Sequence, residues 1–209
     1  MRNHKKLKGF TLIELVVVVC IIGALTAVLA PNMLQYYRSS RVKECNSDAK
    51  LVFNASQTEV QKHISMDRAN AKDGLFADKV VIYYQADGTI QFTGNTNYPG
   101  YGGAVQDGFK DAATCSDVDL KAQITEFVNK VNTTVSDGAS TNWAIYVDHY
   151  IVKSCAASDV ATSKYIGKYS AKDASGSTPE AREMADETYE SFMADTAELL
   201  DIANDYYGS

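Results

Sequence analysis

The strongest pattern in the chain is a continuous apolar stretch near its start, over residues 10–30. A helix of that length would be about 32 Å long, which is enough to cross the hydrocarbon core of a bilayer. Four basic residues precede the stretch without an acid among them: Arg2, Lys5, Lys6 and Lys8. This asymmetry predicts a single membrane span with its N-terminus in the cytoplasm and the rest of the chain on the opposite side.

An amphipathic pattern follows over residues 31–66. Apolar or small residues recur there at spacings close to 3.6 and predict one buried helix face: Leu34, Val42, Cys45, Ala49, Val52, Phe53, Ser56, Val60 and Ile64. Most charged residues of the stretch fall on the other side. We therefore expect the first helix to continue and to pack against a sheet, with Pro31 either kinking it or marking the end of the span.

Shorter patterns over residues 67–209 indicate a globular domain with strands. Residues 80–84 and 89–92 flank Asp87-Gly88 and predict a hairpin, and residues 142–152 and 163–169 predict further strands. Ser116 or Asp117 can cap a helix with one apolar face: Leu120, Ile124, Phe127, Val128 and Val131. The Gly-rich and Tyr-rich stretch over residues 94–108 predicts a surface loop.

The last predicted element is an acidic helix over about residues 178–207, with Thr178 as its N-cap and Pro179 as its first residue. It contains nine acids and one Arg, a composition typical of a solvated face, with a cation site or a basic partner as the alternative. Its other side carries an apolar stripe: Ala185, Tyr189, Phe192, Met193, Leu199, Leu200, Ala203 and Tyr206. The predicted fold class is α+β, with a long N-terminal helix on an antiparallel sheet and an additional C-terminal helix.

Charge and motifs exclude several function classes. The whole chain carries −6, and four of its positive charges lie in residues 1–9, so the remainder carries −10. An acidic chain offers no electrostatic support for binding nucleic acid. No nucleophile motif or phosphate-binding loop is present either, so we predict that the protein is not an enzyme.

One carboxylate, Glu14, lies inside the apolar stretch. A charge at that depth of a bilayer costs about 2.5 kcal/mol or more unless it is paired. Cleavage between Gly9 and Phe10 would create an α-amino group, which is protonated at neutral pH. That ammonium can pair with Glu14 of a neighbouring copy, which predicts a role for both groups in assembly.

Residues 8–14, Lys-Gly-Phe-Thr-Leu-Ile-Glu, resemble the N-terminus of type IV pilins and related prepilin-like proteins. In that family a short basic leader ends in Gly, the first mature residue is usually Phe, the fifth is Glu, and Pro is the twenty-second. This chain matches with a leader over residues 1–9, Phe10, Glu14 and Pro31. The short leader is more similar to the type IVa group than to the long-leader type IVb group.

The resemblance implies a prepilin peptidase that cuts after Gly9 and methylates the new amine of Phe10. It also implies a single-pass precursor in the cytoplasmic membrane, which inner-membrane machinery assembles with other pilin subunits into an extracellular filament for adhesion, motility or uptake. A pseudopilin of a type II secretion or competence system shares these residues and is the first alternative. A membrane-anchored extracellular binding protein is the second.

Four cysteines complete the candidate chemistry. Cys20 lies in the span and is expected to act as a small apolar residue. An exported domain permits disulfides, so we predict a bond between Cys115 and Cys155 and a core thiol at Cys45. The alternative is a zinc site made of Cys45, Cys115 and Cys155 with one His or Asp, although no Cys-x-x-Cys spacing supports it. No other cofactor is expected.

Overall fold

A computed structural model describes residues 10–70, 74–92, 110–115, 117–135, 141–160, 163–170 and 182–183. The chain divides into two compact units, one ending at Ser40 and the other beginning at Arg41. The described part of the first unit is almost entirely helical, whereas the second unit contains helices and a sheet. The predicted α+β class is therefore confirmed.

The first helix, α1, spans Leu12–Asn70 and begins in the first unit. Every residue from 10 to 40 is exposed, and most of those up to Leu29 are apolar. So much apolar surface is unfavourable in water and needs a bilayer or other protein to cover it. By length and composition, α1 can cross a membrane.

Pro31 lies inside α1 and does not end it. Because proline has no backbone N–H, the Ala27 carbonyl loses its usual helical donor. Polar side chains near this point bond to the helix backbone. The Asn32 amide donates to the Val28 carbonyl at 3.3 Å, and the Thr26 hydroxyl donates to the Ile22 carbonyl at 2.8 Å.

Within the part of the chain that the structure describes, seven strands form one antiparallel sheet in the order β3-β2-β1-β4-β5-β6-β7. They are β1 (Val80–Tyr84), β2 (Ile90–Phe92), β3 (Lys110–Asp111), β4 (Asn142–Asp148), β5 (Ile151–Ser158), β6 (Tyr165–Ser170) and β7 (Arg182–Glu183). A short 3₁₀ helix (Ala112–Thr114) and the second α-helix, α2 (Val118–Thr134), separate β3 from β4. The predicted hairpin of β1 and β2 is confirmed, and so is α2 with its predicted apolar face.

One face of the sheet, the inner face, forms a core with both helices. Neighbouring strands align their apolar residues on this face, as in the pairs Ile82–Ile145 and Ile145–Cys155. Phe53 from α1 and Phe127 from α2 belong to the same buried cluster. Burial of this apolar surface supplies the main driving force for folding of the second unit.

Gly167 brings β6 against the backbone of α1. A Cβ atom at this position would lie 1.9 Å from the Cys45 carbonyl oxygen and 2.4 Å from the Asn46 nitrogen. An ion pair joins the same helix to the end of β5, with Arg41 Nη2 3.2 Å from Asp159 Oδ2. The helix and the sheet are therefore fixed by backbone proximity as well as by side-chain packing.

The turn between β4 and β5 adopts an unfavourable backbone conformation. His149 has φ of 48° and Tyr150 has φ of 63°, in the left-handed region that favours glycine. Tyr150 is held there from two directions, since its N–H donates to the Phe76 carbonyl at 2.9 Å and its hydroxyl donates to Asp67 Oδ2 at 2.8 Å. These contacts connect the turn to Asp67 in the C-terminal part of α1 and to Phe76 in the segment after that helix.

Two sequence expectations differ from the structure. The single strand predicted over residues 142–152 is wrong, because the turn at His149 and Tyr150 divides it into β4 and β5. The helix predicted over residues 178–207 is wrong at Arg182–Glu183, which pair with β6 as strand β7. A strand edge offers unpaired backbone groups, and pairing with it overrides local helix propensity. The rest of that predicted helix, and the predicted loop over residues 94–108, lie outside the described residues.

Gly167→Ala should lower the free energy of unfolding by about 2 kcal/mol or more, because the added methyl group overlaps the backbone of α1. Urea denaturation of the full chain in detergent micelles, followed by fluorescence of the buried Trp143, measures the change. Gly23→Ala is the matched control, since a Cβ at Gly23 would meet nothing within 4 Å. If the urea midpoint of Gly167→Ala equals that of the wild type, α1 moves away from β6 without a loss of stability, which would contradict the prediction.

Candidate functional site

The first turn of α1 carries a reciprocal pair of hydrogen bonds between Thr11 and Glu14. Glu14 Oε2 accepts from the Thr11 backbone N–H at 2.9 Å and from the Thr11 hydroxyl at 2.7 Å. In return, the Glu14 N–H donates to Thr11 Oγ1 at 3.4 Å. This arrangement is a capping box, in which two side chains satisfy the free N–H groups at a helix start.

The capping box fixes where the Glu14 carboxylate lies. The carboxylate lies at the N-terminal end of α1, where the helix dipole favours negative charge. Among the described residues, both bonds that it accepts fall on Oε2. Oε1 accepts no hydrogen bond from the described residues.

Phe10 lies directly before the capping box and is 87% exposed. Glu14, the fifth residue counted from Phe10, is on the first turn of the helix, so these two predicted assembly residues lie at one end of α1. Pro31 lies in the same helix, well beyond this turn. Gly9, the other residue of the predicted processing site, lies outside the described residues.

Sequence reasoning missed Thr11, although the signal was present. The spacing Thr11-Leu12-Ile13-Glu14 is that of a capping box before an apolar run. The interpretation of Glu14 as an unsatisfied charge in a membrane span did not include this local partner. Thr11 is therefore a positioning residue for the carboxylate.

All four cysteines are free in the structure. The predicted disulfide between Cys115 and Cys155 is not formed. Cys155 lies on the inner face of the sheet, paired in register with Ile145 and Tyr169. Cys115 precedes α2, where its thiol lies 3.2 Å from the Asp117 carbonyl oxygen. The two thiols thus have different local partners.

The alternative zinc site made of Cys45, Cys115 and Cys155 is not assembled either. The described residues contain no group of three or more His, Cys, Asp or Glu side chains placed to hold a metal. Burial raises the pKa of the Cys45 thiol to about 11 and raises that of Cys155 well above its usual range. Both groups therefore favour the neutral thiol form.

The two described histidines have structural neighbours. The His63 ring packs edge-on against Phe76, with ring centroids 5.1 Å apart, and burial lowers its pKa. His149 belongs to the strained turn and bonds to the Asp148 carboxylate. Neither contact creates a nucleophile or a general base next to a cysteine or serine.

Comparisons with known proteins found a match to one family model and to several known relatives. The model of the prokaryotic N-terminal methylation motif matches residues 4–30. The chain is 37% identical over 57 residues to the type IV major pilin protein PilA of Myxococcus xanthus (strain DK1622), a match that covers 27% of this chain and 26% of that protein. It is 28% identical over 102 residues to a fimbrial protein of Pseudomonas aeruginosa, covering 42% of this chain and 66% of the relative. No solved structure is a significant match.

The motif and these relatives support a similarity of the chain to type IV pilins. The chain spans about a quarter of the Myxococcus pilin and 66% of the Pseudomonas fimbrial protein. The residues matched by the methylation motif include Phe10, Thr11 and Glu14.

The placement of the cysteines predicts the state of the thiols. We expect all four to be alkylated in denaturant without any reductant, and we expect reductant to leave the melting temperature unchanged. Under native conditions Cys45 and Cys155 should react far more slowly than the half-buried Cys115, because they are buried and protonated. Intact mass of the full chain after alkylation measures this. A pair of thiols that reacts only after reduction would contradict the structure and restore the disulfide between Cys115 and Cys155.

Proposed function

We propose that this protein is a type IV pilin subunit that polymerises through α1 into an extracellular filament. The observation that carries the proposal is the Glu14 carboxylate, held by Thr11 at the start of a helix whose apolar surface is exposed throughout residues 10–40. The role is structural, and the chemistry is assembly through burial and ion pairing. The names of the relatives, a major pilin and a fimbrial protein, support it.

Apolar burial supplies the driving force in this proposal. Before assembly the bilayer covers the exposed side chains of residues 10–30, and in the filament the same surface packs against other copies. Each large apolar side chain kept out of water contributes about 1.5–3 kcal/mol relative to exposure, and many are present. Such burial is not directional, so it sets neither the order nor the register of the copies.

In this proposal, Glu14 determines the register in which neighbouring copies pack. Cleavage after Gly9 by a prepilin peptidase leaves an ammonium group on Phe10, and that group pairs with Glu14 of a neighbouring copy. Thr11 keeps Oε2 occupied, so the incoming ammonium bonds to the other oxygen, Oε1. In an apolar surrounding, an unpaired charge is strongly unfavourable, and only the register that pairs the two groups avoids it.

The precursor is inserted in the cytoplasmic membrane as a single-pass protein, and inner-membrane machinery transfers the processed subunit to the filament. A pseudopilin of a type II secretion or competence system would use the same residues, so it stays the alternative within the family. A membrane-anchored binding protein would need the apolar helix but not Glu14. These alternatives are separated by the yield of filaments and by its dependence on Glu14.

The first step of the proposed function, cleavage of the leader after Gly9, can be tested by changing the scissile residue. Gly9→Val should leave the leader attached, because a branched side chain at the scissile residue prevents close approach of the backbone to the peptidase. Intact mass of the subunit extracted from membranes distinguishes a chain that begins at Met1 from one that begins at Phe10. Gly23→Val, which makes the same change within the span, should be processed normally. A wild-type subunit beginning at any residue other than Phe10 would contradict the proposed cleavage.

Replacement of Glu14 tests the pairing. Glu14→Gln keeps the size of the side chain and removes its charge, so it should insert in the membrane at least as well as the wild type. Loss of one partner of a buried ion pair costs about 3–5 kcal/mol, so we expect at least about a tenfold loss of filaments. The measurement is sheared filaments relative to membrane-held subunit, in a strain without the wild-type copy.

Thr11→Val is the matched control for that experiment, because it removes the hydroxyl that holds Glu14 and keeps the charge. We expect it to retain more filaments than Glu14→Gln. Equal filament yields for Glu14→Gln and the wild type would reject the pairing. An absence of filaments from the wild type itself would favour the pseudopilin or the anchored binding protein.

A further inference from the structure

The predicted span ends at Ala30, but the exposed apolar surface of α1 continues beyond it. Met33 is 75% exposed and Leu34 is 53% exposed. From Leu15 to Leu34 the helix contains 20 residues without an acidic or basic side chain, and we name these residues the uncharged stretch. At about 1.5 Å per residue its length is about 30 Å, the thickness of a bilayer's hydrocarbon core. The uncharged stretch therefore fits the core without a charge inside it.

Two polar side chains within the uncharged stretch form hydrogen bonds with the helix itself. The Thr26 hydroxyl donates to the Ile22 carbonyl at 2.8 Å, and the Asn32 amide donates to the Val28 carbonyl at 3.3 Å. Hydrocarbon contains no water to replace such bonds, so internal partners make the two side chains compatible with it. The polar residue Asn32 therefore does not require the span to end before it.

The charge of Glu14 favours the same position of the helix in the bilayer. If the hydrocarbon core covered residues 10–30, the Glu14 carboxylate would lie inside the core. If the core covers the uncharged stretch, the carboxylate lies in the hydrated headgroup layer, where a charge is far less costly. The cost of burying a charge therefore favours a span from Leu15 to Leu34 over one that ends at Ala30.

This position places three exposed residues in the headgroup layer at the other end of the span. That layer is about 5–7 Å thick on each side of the hydrocarbon core. Beyond the end of the uncharged stretch, Tyr36, Tyr37 and Arg38 lie about 3, 4.5 and 6 Å away along the helix axis. Tyr36 is 76% exposed, Tyr37 is 52% exposed, and Arg38 is exposed as well. Tyrosine is enriched at this depth because its ring is apolar and its hydroxyl is polar.

We propose that Arg38, flanked by Tyr36 and Tyr37, binds the phosphate group of an acidic phospholipid in the leaflet at this end of the span. Within the part of the chain that the structure describes, Arg38 forms no ion pair. A guanidinium group binds a phosphate through two parallel N–H···O hydrogen bonds, which a single ammonium cannot match. The headgroup is therefore a partner of the correct charge and geometry at the depth where Arg38 lies.

The surrounding charges favour a lipid with a net negative charge. Residues 15–43 contain no acid, and their charged residues are Arg38, Arg41 and Lys43. An acid of a neighbouring copy is the other candidate partner for Arg38. The lipid is favoured because the uncharged stretch brings Arg38 to the headgroup layer in every single subunit. The inference rests on the membrane-inserted state of the proposed function, and it does not require a filament.

Labelling with a charged maleimide tests the position of the helix. The full chain is placed in lipid nanodiscs with Cys115→Ala, while Cys20 remains as a reference inside the uncharged stretch and the two buried cysteines are kept. Leu34→Cys and Ser39→Cys are then added separately. We expect Ser39→Cys to be labelled about tenfold or more faster than Leu34→Cys, because hydrocarbon excludes a charged reagent. Leu34→Cys should be as slow as Cys20.

Equal rates for Leu34→Cys and Ser39→Cys would end the span at Ala30. Arg38 would then lie about 12 Å beyond the hydrocarbon core, outside the headgroup layer, and the proposal would be overturned. Fast labelling of Cys20 as well would show that the helix is not inserted. That separate outcome would reject the membrane-inserted state of the proposed function together with the lipid contact.

Native mass spectrometry tests the lipid contact, with the full chain released from nanodiscs that contain equal amounts of phosphatidylglycerol and phosphatidylcholine. The wild type should retain more phosphatidylglycerol than phosphatidylcholine. Arg38→Gln should lower this ratio about fivefold, because one basic residue at an acidic membrane surface is lost. Arg38→Lys, which keeps the charge, should lower it less. Arg68→Gln is the matched control, since Arg68 is also exposed and lies in the last turn of the same helix.

An unchanged lipid ratio for Arg38→Gln would overturn the proposal. If that variant then formed fewer filaments, the partner of Arg38 would be an acid of a neighbouring copy. An equal decrease for Arg68→Gln would also overturn the proposal, because the lipid preference would then follow the net charge of the chain and not the position of Arg38. A decrease for Arg38→Gln alone is the result expected from the headgroup contact.

Discussion

The whole molecule depends on keeping the apolar surface of one helix away from water. Over residues 10–40 α1 carries that surface without cover from its own unit, and from Arg41 onward the same helix supplies one side of a folded core. The two regions differ in what covers them. The apolar surface of the second region is covered within a single chain, whereas that of the first needs a bilayer or other protein to cover it.

The elements that could be predicted from sequence are those stabilised by local patterns. The hairpin of β1 and β2 was predicted from Asp87-Gly88, and Gly88 indeed has a positive φ of 93°. The apolar spacing of α2 identified the face that contacts the core, including Leu120 and Phe127. In each case the residues that decide the structure lie within a few positions of one another, so a pattern along the chain contains the information.

The elements that were not predicted depend on contacts between distant residues. The turn at His149 and Tyr150 lacks the Gly or Asn typical of its conformation, and it is held by Asp67 and Phe76 from elsewhere in the chain. Strand β7 forms because the edge of β6 offers backbone groups for pairing. No property of Arg182–Glu183 itself indicates a strand. At the candidate site, Glu14 was identified from its charge, but its partner Thr11 was not. The disulfide between Cys115 and Cys155 was predicted because an exported domain permits disulfides. The sequence contains no geometric information on whether these two thiols meet.

The capping box also determines what a second molecule meets when it approaches Glu14. A free glutamate side chain samples many rotamers, and ordering such a side chain at an interface costs about 0.5–1.5 kcal/mol. Here Thr11 orders the carboxylate within one chain, before any neighbour is present. In the proposed pairing the ammonium group of a neighbouring copy meets a preorganised acceptor, because the entropy loss of ordering the carboxylate has already occurred during folding of the helix end.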